Sequence, residues 1–298
     1  MSDLASLPYV ILDVFAERPF AGNPLAVVMD AEGLTGEQML QITREFNLSE
    51  TAFPLRPTEA ERAAGADYVL RIFTPGSEVP FAGHPSVGTA WWLARTGQIP
   101  LGQVGQQCGV GLLPVEVSAS GAALTAGPAT VTESIDPGRA LVAVGLNSSD
   151  LADADVRIAS TGLEYVVLLV HPDALARCRP SMTVLRAEFT YPQAATGIYV
   201  VAWNPEQRHA NARMFTGDLG QAEDAATGSA ALALGALLVA RGEFADGRHE
   251  ITIDQGVEMG RPSKLTVTCD VASGALERLQ VSGSVVTIAE GSVAVPPA

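Results

Sequence analysis

The chain has 298 residues, 47% hydrophobic and 17% charged, which is enough apolar side chain for one large or two medium cores and argues against a disordered chain. Its formal net charge is −15, with only 18 Lys and Arg scattered along it, so nucleic acid would be repelled and is excluded as a partner. Three distant cysteines, Cys108, Cys178 and Cys269, give no disulfide framework, and neither a signal peptide nor a membrane-spanning run is present, so a cytoplasmic protein without membrane contact is expected.

The apolar, β-branched run Tyr9–Phe15 predicts a buried strand, and Ala21-Gly-Asn-Pro24 turns the chain into a second one at Leu25–Met29. Thr35 and Gln38 form a capping box ahead of Met39, Ile42 and Phe46, which share one helical face. Asn47 suits the left-handed position that ends this helix. The next strand begins within Leu48–Phe53, which places Glu50 at a helix-to-strand junction where a side chain can be aimed into a cleft. Tyr68–Phe73 alternates as a strand, Pro80–Pro85 reads as loop, and Ser86–Ala94 is helix-compatible.

Asp136-Pro137 opens a short helix that Gly145 closes. Strands are expected at Tyr165–Val170 and Ile198–Trp203. Thr227–Ala240 is apolar on every side, so it must be buried on every side, as inside a curved sheet. The tail from Glu250 reads as strands with turns at Gly260, Gly274 and Gly283.

The two halves echo each other. In each, an acidic residue (Glu78; Glu223 and Asp224) precedes a small-residue turn and an apolar helix, and the two turns lie roughly 140 residues apart, as in a duplicated domain. Each helix begins with free backbone amides, and such starts hold carboxylates well. A small carboxylate is therefore an acceptable ligand despite the acidic chain.

Several familiar signatures fail. Gly83-His-Pro-Ser-Val-Gly88-Thr89 has phosphate-loop spacing but no lysine, and His84-Pro-Ser86-Val-Gly88 lacks the first glycine of a nucleophile elbow. His84, His171, His209 and His249 have no ligand spacing, so no metal is expected, and no dinucleotide fingerprint follows the first strand.

Three segments remain: Asn47-Leu-Ser-Glu-Thr-Ala-Phe53, Phe81-Ala-Gly-His-Pro85 and Glu223-Asp-Ala-Ala-Thr-Gly-Ser-Ala230. Together with Gly22-Asn-Pro24, Arg71-Ile-Phe-Thr-Pro75 and Gln255-Gly-Val-Glu-Met-Gly-Arg-Pro-Ser263, they resemble the signature segments of the phenazine-biosynthesis isomerase-like family of the diaminopimelate-epimerase superfamily. The resemblance runs from about Val10 to about Glu290, nearly the whole chain.

It implies an α+β fold of two pseudo-symmetric domains, each a curved, mostly antiparallel sheet or barrel around a central helix, with the active site between them. The expected domains are 1–128 and 129–298, with the C-terminal strand free to return to the first. The resemblance also implies a cofactor-independent homodimer. In the epimerase branch, paired cysteines at the two helix starts act as base and acid. Here Ala82 and Thr227 stand near those places, so thiol chemistry is disfavoured and Glu50 is left as the proton shuttle.

In that reading Glu50 is general base and then general acid, with a pKa that needs raising toward neutrality. Taken alone, it reads as a solvated glutamate at a strand start. His84 would bind the substrate's hydroxyl or amine or help move the proton, against the plainer reading of a histidine that satisfies loop carbonyls. Asp224 would anchor an amino group or orient His84, and by itself it is an ordinary helix-capping acid. Gly83, Gly228 and Ser229 would capture a carboxylate, with Ser49 adding a hydroxyl beside Glu50. The founding substrate of the family is trans-2,3-dihydro-3-hydroxyanthranilate. The alternatives are an isomerase, racemase or epimerase of another small amino or hydroxy acid, a non-catalytic carboxylate-binding protein, and, more distantly, a serine hydrolase using Ser86.

Overall fold

The computed structural model describes residues 5–189, 195–217 and 222–297. They divide into two compact units, one holding the residues up to Leu124 together with those from Gly283 onward, the other Thr125–Ser282.

The first unit opens with β1 (Ser6–Val14), β2 (Asn23–Val28), α1 (Gly36–Phe46) and β3 (Glu50–Leu55). It continues with α2 (Glu59–Ala63), β4 (Tyr68–Phe73), β5 (Glu78–Val79), α3 (Gly83–Arg95), β6 (Gly102–Cys108), β7 (Gly111–Val117) and β8 (Gly121–Thr125). β1 pairs antiparallel with β2 and with residues 285–294, β2 runs parallel to β3, and β3 is antiparallel to β4. β4 carries the short antiparallel β5 and runs parallel to β6, after which β6, β7 and β8 form an antiparallel meander. This sheet curves around α3, which packs on β1, β2, β3 and β7. The approach is close: a Cβ on Gly88 would lie 2.7 Å from both Leu25 Cδ2 and Val14 Cγ2.

Helix α1 forms where the capping box predicts it. The Thr35 hydroxyl accepts from the Gln38 amide, the Gln38 side chain accepts from the Thr35 amide, and Asn47 ends the helix at φ 50°. Its Met39 and Ile42 join Val28, Phe53 and Phe73 in a core on the outer face of the sheet.

The second unit comprises β9 (Thr130–Val131), α4 (Gly138–Val144), β10 (Arg157–Ser160), β11 (Glu164–Leu169), α5 (Pro172–Arg177), α6 (Met182–Glu188) and β12 (Gly197–Asn204). It ends with β13 (His209–Phe215), β14 (Glu223–Asp224), α7 (Gly228–Ala240), β15 (Gly247–Gln255), β16 (Ser263–Ala272) and the part of β17 (Ala275–Ala294) up to Ser282. The pairing sense repeats the first unit step for step. β9, β10 and β11 are antiparallel, β11 and β12 parallel, and β12 and β13 antiparallel. β13 carries the short β14 and runs parallel to β15, and β15, β16 and β17 form the closing meander. Helix α7 occupies the place of α3: every residue from Gly228 to Val239 is buried, and a Cβ on Gly235 would lie 2.8 Å from Val267 Cγ1.

Three sequence expectations shift. The segment expected as loop up to Pro85 is already helical from Gly83, so His84 and Pro85 occupy the first turn of α3. Proline is tolerated there because first-turn amides have no intrahelical acceptor. Pro137 caps α4 instead of starting it. No turn occurs at Gly283. β17 runs unbroken, pairing with β16 as far as Ser282 and with β1 from Val285. The glycine instead marks close backbone contact, since a Cβ on Gly121 would lie 1.9 Å from Gly283 O. Among the described residues, no helix is long and apolar enough to cross a membrane.

Candidate active site

In the first unit, the parallel pairing of β2 and β3 brings their starts together, so Asn23, Ser49 and Glu50 become neighbours. The left-handed Asn47 makes this possible, because it ends α1 only two residues before the buried Ser49. Helix α3 then presents His84 from its first turn. Glu50 Oε2 lies 3.7 Å from His84 Nε2, Asn23 Nδ2 lies 3.4 Å from His84 Nδ1, and the Ser49 hydroxyl donates to Asn23 Oδ1 at 3.2 Å. No side chain caps α3, whose N-cap is Ala82. The start of this helix therefore presents main-chain donors beside the Glu50 side chain.

Burial pushes the His84 pKa from the ordinary 6.5 down to about 3. Desolvation of the enclosed ring is the cause, so the imidazole is neutral at physiological pH. The sign of the linkage follows. Below pH 6.5 the unfolded chain takes up a proton that the folded chain refuses, and this contribution to stability is lost as the pH falls from about 6.5 toward 3. We expect the unfolding free-energy difference between the wild type and His84→Gln to fall by about 1.4 kcal/mol per pH unit across that window and to be constant above it. Urea unfolding at stepped pH measures this, and a flat difference would show that the ring titrates normally.

The second unit builds a matching cluster at the start of α7. Thr227, the N-cap, donates its hydroxyl to Asp224 Oδ2 at 2.7 Å. The fully buried Gln255 donates to Asp224 O at 2.9 Å and to Thr227 Oγ1 at 3.0 Å. Its Oε1 accepts from the Thr227 amide at 3.3 Å and from the Tyr199 hydroxyl at 3.2 Å. Ser229 Oγ lies 2.7 Å from Tyr165 Oη. Beside Asp224, the Glu223 carboxylate takes a two-point contact from Arg213 at 2.8 and 2.7 Å.

The structure thus joins Glu50, His84, Ser49 and Gly83 in one cluster and Asp224, Gly228 and Ser229 in another. The hydroxyl of Ser49 is engaged with Asn23, and that of Ser229 with Tyr165. Sequence reasoning gave no individual role to Asn23, Gln255, Tyr165 or Arg213. One readable signal was present: Arg-x-Phe-Thr occurs at 71–74 and again at 213–216. In both copies the arginine stacks over the phenylalanine and grips the glutamate of the short strand that follows.

Ser86 is buried, donates to Ala82 O at 2.9 Å and accepts from Gln106 at 2.9 Å, so it has no base and is not a nucleophile. The three cysteines are buried with raised pKa values, Cys178 to about 11 and Cys269 to about 12, mainly through desolvation. Where the epimerase branch would place its thiols, the N-caps of α3 and α7 are Ala82 and Thr227. Among the described residues no group of three His, Cys, Asp or Glu is arranged to hold a metal.

The chain is similar to known proteins in sequence and fold. The family model described as PhzC-PhzF, phenazine biosynthesis-like protein, matches residues 12–291. A trans-2,3-dihydro-3-hydroxyanthranilate isomerase of Pseudomonas aeruginosa is 35% identical over 95% of this chain and 98% of its own length. An uncharacterized isomerase of Mesorhizobium japonicum is 33% identical over 96% and 98%. Among solved structures, a PhzF-family phenazine biosynthesis protein of Bacillus anthracis superposes with a TM-score of 0.84 at 26% identity, over 97% of this chain and 99% of that one. A protein described as a predicted epimerase of Pseudomonas aeruginosa gives 0.80 at 34% identity over the same shares. A hydroxyproline epimerase of Agrobacterium vitis, at 14% identity and a TM-score of 0.65, shares the fold.

Proposed function

This chain belongs to the phenazine biosynthesis-like PhzC-PhzF family, a family of isomerases, and from that premise we propose that it isomerises trans-2,3-dihydro-3-hydroxyanthranilate or a close analogue by proton transfer through Glu50. The observation that carries this reading is the Glu50–His84 pair, a carboxylate held 3.7 Å from a neutral, buried imidazole.

The chemistry needs one group that removes a proton from the hydroxyl-bearing carbon and returns one to the carboxylate-bearing carbon, the electron pair shifting through the intervening diene. Both carbons belong to one small ring and can be reached from the same face, so a single carboxylate can serve as base and then as acid. Neutral His84 supplies a hydrogen-bond donor without adding a second charge. A charged ring would lock Glu50 in the ionised state and weaken it as an acid. Only side chains of this protein take part in the proposed step. Asp224, Gly228 and Ser229 are proposed as amino- and carboxylate-binding groups, on the chemistry of their own cluster alone.

The test is proton NMR of the purified protein with trans-2,3-dihydro-3-hydroxyanthranilate in D₂O. Rapid loss of the substrate's diene signals, with deuterium appearing at the carboxylate-bearing carbon of the product, is the expected result. An unchanged spectrum after hours would overturn this substrate and direct the search to other small amino and hydroxy acids.

A further inference from the structure

We propose that Asn23 is a positioning residue that sets the tautomer of His84, keeping the ring proton on Nε2, the atom that faces Glu50. The catalytic consequence rests on the isomerase reading above; the tautomer itself does not.

An amide nitrogen can donate and cannot accept. With Asn23 Nδ2 3.4 Å from His84 Nδ1, that ring nitrogen must offer its lone pair, and the single proton of a neutral imidazole then sits on Nε2. One neighbour is compatible with this orientation and a second, acting through the ring, selects it. The Ser49 hydroxyl donates to Asn23 Oδ1 at 3.2 Å, on the side away from the ring. The Glu50 carboxylate, the titratable group facing the ring, lies 3.7 Å from Nε2. Turning the amide over would put the proton on Nδ1 and set the Nε2 lone pair against that carboxylate, two acceptors across a dry gap. Asn23 and His84 are both buried, so water does not compete for either contact.

The second unit supports the assignment. At the start of β11, the strand equivalent to β2, Tyr165 reaches the second residue of α7, Ser229, at 2.7 Å, as Asn23 reaches the second residue of α3. In both halves a side chain from the start of the second strand fixes the group that the central helix presents. Asn23 also lies outside the pairs usually read as chemistry, because its amide neither gives nor takes a proton at physiological pH.

The experiment is long-range ¹H–¹⁵N NMR of protein labelled at histidine, with His84→Gln used to assign the His84 ring signals. The wild type is expected to show a protonated Nε2 and an unprotonated Nδ1 at pH 7. Asn23→Asp replaces a donor by an acceptor of the same shape, so the variant should carry the proton on Nδ1 or on both nitrogens. Its kcat should fall on the order of 100-fold or more with KM little changed, because the group facing Glu50 has lost its neutral donor form. Asn23→Ala leaves Glu50 as the remaining partner of the ring, so the Nε2-protonated form should stay the major one with the Nδ1-protonated form now detectable. A wild-type ring protonated on Nδ1 would overturn the proposal, as would an Asn23→Asp ring unchanged from wild type. A changed ring with an unchanged kcat would overturn the positioning role. The NMR readings need no substrate, so they stand or fall apart from the choice of reaction. Thermal unfolding of both variants identifies any that is merely misfolded, in which case the wild-type tautomer decides.

Discussion

Glu50→Gln is expected to lower kcat by about 10³-fold, with KM changed far less. The amide matches the carboxylate in shape and can still accept a hydrogen bond from His84 Nε2, 3.7 Å from Glu50 Oε2, but it can neither take up nor hand over a proton. The loss therefore falls on the chemical step and leaves ground-state binding nearly intact. A second sign separates this from damage to the fold. Glu50 is 13% exposed in its side chain, and Gln keeps its shape and acceptor oxygen there, so the substitution should leave the unfolding temperature near that of the wild type. Initial rates and a thermal melt on the same preparation measure both. Turnover within about tenfold of wild type would remove Glu50 as the shuttle.

Arg213→Ala is expected to destabilise the protein by about 3–5 kcal/mol, whereas Arg71→Ala costs about 1 kcal/mol or less. The two arginines occupy equivalent places and share two kinds of contact. Each grips a glutamate on the following two-residue strand at 2.7 Å, and each stacks over a phenylalanine two residues on, at 5.1 and 5.0 Å. They differ in solvent. The Arg71–Glu78 side chains are 30% and 42% exposed, so water re-solvates Glu78 when its partner is removed. Arg213 and Glu223 are 8% and 13% exposed, so truncating Arg213 strands a buried carboxylate and also frees the Leu175 carbonyl it serves at 2.7 Å. Because Glu223 adjoins Asp224, the variant should disturb the α7 cluster as well. Urea unfolding of both single variants gives the comparison, and equal costs would show that burial is not what distinguishes the pairs.

Much of this molecule was readable before any coordinates. The capping box at Thr35 and Gln38, the left-handed Asn47 and the all-apolar helix expected over Thr227–Ala240 are local patterns, each with one stable backbone answer, and the structure has all three, the helix starting at Gly228 with Thr227 as its N-cap. The motifs around Glu50, His84 and Asp224 identified the family because they keep their order along the chain. Local chemistry also explains why the start of α3 was misplaced: proline reads as a breaker, yet in a first turn it costs no hydrogen bond.

What the chain could not disclose is which side chains meet. Asn23 and His84 are 61 residues apart, and Tyr199 and Gln255 are 56 apart. Only the parallel pairing of β2 with β3 and the packing of α3 inside its sheet bring the first pair together. The same holds for charge. Composition gives four histidines without distinguishing them, and enclosure by the folded chain drives His84 down to about 3. The Arg-x-Phe-Thr repeat makes two arginines alike in sequence, and only the tertiary structure gives each its glutamate and buries one of the pairs. Periodicity, caps and motifs depend on neighbours within a few residues, so sequence by itself determined the elements and the family. Burial and partner choice depend on where distant segments pack, so the tertiary structure alone decided the electrostatics of the site.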